Sequence, residues 1–174
     1  MKINPGARRK QYAMYFGAYL GIYMILKFIL FPLTFIVPLV SLLYIGLLIA
    51  VPFIVYYYLR TYRDKICGGS IKFGTAYFFS LQVFFYGALL TSVAHFVYFQ
   101  FIDNGFVMNH LMAQINMLRE DPAMEQHLTS LDEVASTFGT LSARDITFNF
   151  LSSNLTFGIF LSFPIALFAK KAKH

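Results

Sequence analysis

The sequence contains no tryptophan, a single cysteine and only eight acidic residues among 174. Each shortage excludes something. The lone thiol, Cys67, cannot close an internal disulfide, so no covalent staple holds the fold, and its place in a basic turn puts it on a reducing, cytoplasmic side. Without tryptophan, the twelve tyrosines must furnish whatever aromatic belt the chain presents at a membrane surface. Charged residues make up 13% of the chain against 58% hydrophobic, a balance that departs from soluble domains. Phosphate-cradling order is missing too, because Gly68-Gly69-Ser70 runs on into Ile71 and Lys72. A formal charge of +6 comes with no recognition motif, so nucleic acid is not an expected partner.

What the chain does have is apolar length. From Phe73 to Ile102 thirty residues pass without one Asp, Glu, Lys or Arg. As a helix rising ~1.5 Å per residue, that run would measure roughly 45 Å, more than the ~30 Å of a bilayer's hydrocarbon. Three other runs are long enough as well, and together they predict an all-α membrane protein with one domain over residues 1–174. The spans fall at about 12–31, 38–59, 72–102 and 143–169, with a partly helical outer segment at 103–142. The first run follows Arg8, Arg9 and Lys10 as a signal peptide would, yet twenty apolar residues without a small-x-small cleavage site read as a retained helix. Pro32 and Pro38 bound the first outer turn, Pro52 predicts a kink in the second helix, and Tyr56, Tyr57 and Tyr58 mark its inner interface.

Charge sets the expected orientation. Eleven of the fourteen Lys and Arg residues fall in the N-terminal tail, the middle turn and the C-terminal tail. Arg8, Arg9, Lys10, Arg60, Arg63, Lys65, Lys72, Lys170, Lys171 and Lys173 therefore place both termini in the cytoplasm, with an even number of crossings between them. Seven of the eight acids lie between Asp103 and Asp145, on the opposite side. Within that outer segment Val107, Leu111, Ile115 and Leu118 recur at helical spacing after Gly105. Asp121-Pro122 predicts a second helix start, Ser130 with Glu133 a capping box, Gly139 a stop, and Ser142 with Asp145 the capping box that opens the fourth span.

The turn Tyr62-Arg-Asp-Lys-Ile-Cys-Gly-Gly-Ser-Ile-Lys-Phe-Gly-Thr-Ala-Tyr77 and the long span ending Tyr98-Phe-Gln-Phe-Ile-Asp103 resemble the domain-of-unknown-function family four-one-nine-nine. The resemblance covers nearly the whole layout and is most specific from Gly68 to Asp103. It implies small four-span proteins of bacterial inner membranes, and carries over no catalytic, cofactor or metal residue.

The spans are not wholly apolar. With Gly21, Gly87 and Gly158 as approximate midpoints, His95 lies about 12 Å outward, Asn149 about 13 Å, Ser152 and Ser153 about 8 to 9 Å and Lys27 about 9 Å. A hydrogen bond from His95 to Asn149 or Ser153 is the sharpest expectation, with Lys27 snorkelling toward the outer water. Gln82 and Ser162 fall at a second level, inside the same midpoint, and would pair there. This seam reads first as interhelical glue, worth roughly 0.6 kcal/mol per hydrogen bond, and second as the lining of a transporter or channel subunit. Apart from Asp145 in the first turn of the fourth, no carboxylate sits within a span, so none is placed at depth to run a proton relay.

A serine hydrolase built on Ser152 or Ser153 with His95 is a remote reading, since Ser153 lacks the G-x-S-x-G setting and no buried acid is expected to orient the histidine. His110 and His127 match no metal-ligand spacing. Gly17 and Gly21 form a G-x-x-x-G pair on the first helix, and Gly87 and Gly158 would let the third and fourth spans close on each other. The expectation is thus a non-enzymatic interaction or structural component, its partners the lipid bilayer and a second copy of the chain or another membrane protein.

Overall fold

The computed structural model describes residues 5–120 and 126–171. Among the described residues six α-helices follow one another: α1 (Pro5–Ile29), α2 (Pro38–Lys65), α3 (Phe73–Val97), α4 (Phe106–Glu120), α5 (Leu128–Gly139) and α6 (Ala143–Ala169). Four of them, α1, α2, α3 and α6, are long and apolar enough to cross a membrane, and the chain is a multi-pass membrane protein. A helix suits lipid because it satisfies its own backbone groups.

The helix ends have local causes. α1 begins before the apolar run, since Ala7, Arg8, Arg9, Lys10 and Gln11 favour helix. It ends at Ile29, and a single 3₁₀ turn, Pro32–Phe35, carries the chain to Pro38, the first residue of α2. α2 runs one and a half turns past Leu59, so Arg60, Arg63 and Lys65 belong to its last turns, where cations oppose the helix dipole. Gly68 and Gly69, at φ +68° and +83°, then reverse the chain in a conformation that other residues adopt at a cost. Beyond Val97 the third span continues as a π-helical turn, Tyr98–Ile102, closed by the Asp103 N–H donating to the Tyr98 carbonyl at 2.9 Å. The capping box at Ser142 and Asp145 forms: the Asp145 N–H donates to Ser142 Oγ at 3.3 Å and the Ser142 N–H to Asp145 Oδ2 at 3.0 Å. The one expected at Ser130 does not, because α5 already starts at Leu128 and Ser130 lies inside its first turn. The helix start expected at Asp121-Pro122 lies outside the described residues.

α3 is the central element. Ala76, Ser80, Gly87, Ala88 and Thr91 are buried on it, and residues this small let α1 and α6 close on it from two sides. A Cβ added to Gly17 would lie 2.5 Å from the Tyr86 Cβ, and one added to Gly21 would lie 2.9 Å from the Leu90 Cβ. Gly87 faces Leu20 and the Gly17 carbonyl of α1, while Gly158 of α6 meets Phe84. The first pair is therefore spent inside the chain, on α3, and is not free to meet a second copy. Gly87 likewise serves α1 and not α6, contrary to the expectation from its depth. α2 leans on the outside of this three-helix sheet and leaves Leu39, Leu42, Ile49, Phe53 and Tyr57 exposed to what surrounds the bundle.

The two ends of the bundle differ. At one, Arg63 Nη1 donates to the Ala169 carbonyl at 2.9 Å, Ile71 and Lys171 exchange backbone hydrogen bonds, and the Arg9 guanidinium lies 5.7 Å from the Phe78 ring. The basic residues at the start of α1, in the α2 to α3 turn and in the C-terminal stretch thus share one end, with Tyr12 and Tyr62 in ring contact at 5.8 Å; Lys173 lies outside the described residues. The other end is closed by an aromatic cluster around Phe28, Phe99 and Val107, over which the α4 and α5 hairpin lies.

Candidate functional site

Beneath the aromatic cluster, α1, α2, α3 and α6 enclose a chamber of about 30 Å³ lined by Lys27, Tyr44, Thr91, His95 and Asn154, with Met24, Phe28 and Phe150. That is room for about two water-sized groups. Lys27 is 7% exposed and His95 3%. The Lys27 ammonium lies 5.1 Å from the centre of the Tyr44 ring, a cation–π contact, and no carboxylate pairs with it among the described residues. The His95 ring rests between Phe28 and Phe150, at 4.2 and 4.8 Å between centroids, and its Nδ1 is buried without a hydrogen-bond partner. Thr91 turns its hydroxyl to the Gly87 carbonyl at 2.8 Å.

A second cavity adjoins the chamber through shared walls. Met24, Lys27 and Asn154 also line a crevice of about 330 Å³ that continues between α2 and α6 along Pro52, Phe53, Phe157 and Leu161. Its mouth is formed by mid-helix residues, Leu48, Ile49, Phe53 and Phe157, all exposed. On the other side Phe150 separates the chamber from an outer cavity of about 340 Å³ beneath α4 and α5. Asp103 lines that cavity, 7% exposed, and accepts from the Val107 N–H at 3.2 Å.

Of the expected seam, Lys27 and His95 converge and the rest do not. Asn149 is exposed and donates to the Asp145 carbonyl of its own helix at 2.9 Å, so it makes no bond to His95. Ser152 and Ser153 are exposed as well. Nor does Lys27 snorkel: its side chain is buried, with the ammonium over the Tyr44 ring. At the second level Ser162 donates to the Gly158 carbonyl at 2.6 Å, and Gln82 Oε1 is buried without a partner, so that pair does not form either. Asn154, Tyr44 and Asp103 were not anticipated. Stepping back by four from the buried Gly158 and Ser162 leads to Asn154 and Phe150 on the same stripe of α6, a signal present in the sequence.

Fold and chamber define a four-span membrane protein with a buried lysine that has no acidic counter-ion among the described residues. The chain belongs to the family described as "Protein of unknown function (DUF4199)", whose model matches residues 15–171. No curated protein and no solved structure matches it.

Proposed function

We propose that this protein is a non-enzymatic component of the bacterial inner membrane, both termini in the cytoplasm, which works by receiving a hydrophobic partner or ligand from within the bilayer. One observation carries the reading: a cation buried with no acid beside it among the described residues stands at the head of a crevice whose mouth is formed by exposed mid-helix residues. A charge so placed is expensive in hydrocarbon and marks a functional position by default. The inner-membrane orientation is supported by the gathering of basic residues at one end. Ser152 and Ser153, both exposed, give the hydrolase reading no support, and Gln82 with Ser162 does not extend the chamber into a path across the bundle.

The test is access. In a Cys67→Ser background, Asn154→Cys should resist a membrane-impermeant maleimide applied from either side, while a lipid-soluble maleimide labels it. Rapid labelling by the impermeant reagent would make the chamber an aqueous vestibule and end this reading. Reporter fusions after Glu120 and after Lys171 should report outside and cytoplasm respectively.

A further inference from the structure

We propose that the chamber and its crevice together bind one long-chain carboxylic acid, its carboxylate against Lys27 and its hydrocarbon chain between α2 and α6. The inference deepens the reading above and rests on it.

The head of the site is built for an anion. Lys27 offers up to three donors, the Asn154 amide two more and the Tyr44 hydroxyl one, whereas an ionised carboxylate only accepts. His95 adds a ring nitrogen that is buried, unpartnered and on the chamber wall. A carboxylate beside Lys27 would supply the opposite charge that the described residues lack, as a charge-assisted contact in a setting with little water to screen it.

Size and shape narrow the class. About 30 Å³ admits a head of a few atoms and not a glycerophosphate diester. The crevice walls are apolar below the Lys27 level, and Asn154, Phe157 and Leu161 rise along one face of α6 over roughly 10 Å. A volume of about 330 Å³ lies within the range of small-molecule sites. One chain fits the groove, and its far end would leave through the mouth at Phe53 and Phe157 into lipid.

The experiment uses the full chain in phosphatidylcholine nanodiscs doped with oleic acid, and reads retained adducts by native mass spectrometry. Wild type should keep one oleate, and methyl oleate, with the same tail and no charge, should not be kept. Lys27→Met should lower the oleate adduct at least tenfold. Leu161→Trp, which fills the crevice and leaves the lysine, should lower it comparably and covers the case in which the lysine variant fails to fold. Equal retention of oleate by wild type and either variant overturns the proposal, as does equal retention of methyl oleate or preferential retention of phosphatidic acid. The two readings fail separately. If Asn154→Cys takes the impermeant maleimide both fall, whereas a shielded cysteine with no oleate adduct on wild type removes only the carboxylic acid.

Discussion

At the scale of single residues, small side chains decide whether this bundle closes. Because a Cβ at position 17 would sit 2.5 Å from the Tyr86 Cβ and 3.0 Å from the Val83 carbonyl, α1 cannot keep its place against α3 if Gly17 becomes alanine. Neither neighbour is a flexible chain end. Gly17→Ala should destabilise the protein by about 1–3 kcal/mol, the ordinary range for overpacking. Gly46 on α2 has nothing within 4 Å of its missing Cβ, and Gly46→Ala should be neutral or stabilising by up to ~1 kcal/mol through helix propensity alone. Unfolding of the purified variants in mixed micelles on an SDS titration would compare them, and similar midpoints would mean that α1 and α3 do not meet as described. Lys27 makes the opposite case. A buried charge with no carboxylate beside it among the described residues opposes folding by more than the Tyr44 ring contact returns, so Lys27→Met should stabilise protein freed of bound lipid by about 1–3 kcal/mol and raise its SDS midpoint; a fall would show that the cation–π contact outweighs the cost of burial.

At the scale of elements, the sequence made some features legible and concealed others. The four spans follow from apolar length, the start of α6 from the Ser142 and Asp145 pair, and the start of α4 from the hydrophobic spacing after Gly105. Rotation about the helix axis is what depth alone could not supply. Asn149, Ser152 and Ser153 lie near the level of His95, but at ~100° per residue each is turned away from the stripe of Asn154, Gly158 and Ser162 that faces the bundle. Likewise Asp103 looks like the first residue of a solvated segment, yet the π-helical turn before it carries it under α4. Its carboxylate there accepts from the first turn of α4, as a helix-capping group does. Asp103→Ala should cost α4 about 1 kcal/mol of local stability. Hydrogen exchange would show it as faster exchange of the α4 amides, with α3 and α6 protected as before. Unchanged α4 exchange would mean that its aromatic floor, and not the cap, holds the hairpin down.

At the scale of the whole molecule, everything turns on which face of the membrane meets the basic end, and Cys67 reports on it. The thiol lies in the turn between α2 and α3, half-buried, and burial pushes its pKa up from the ordinary thiol value, an effect that the Tyr62 hydroxyl and Arg8 only partly oppose. A raised pKa means less thiolate at neutral pH, and the thiolate is the species that attacks a maleimide. Alkylation of Cys67 should therefore be slower at pH 7 than that of an exposed cysteine, Asp64→Cys in a Cys67→Ser background, and should gain more as pH rises toward 9. If the basic end is cytoplasmic, an impermeant maleimide will label Cys67 in inverted vesicles and spare it in intact spheroplasts. The pH profile separates a shielded thiol from an inaccessible one, since a residue merely out of reach would stay unlabelled at every pH in both preparations. Labelling in spheroplasts alone would invert the orientation. The Lys27 chamber, which lies beyond mid-helix toward the aromatic end, would then sit at the level of the cytoplasmic leaflet instead of the outer one.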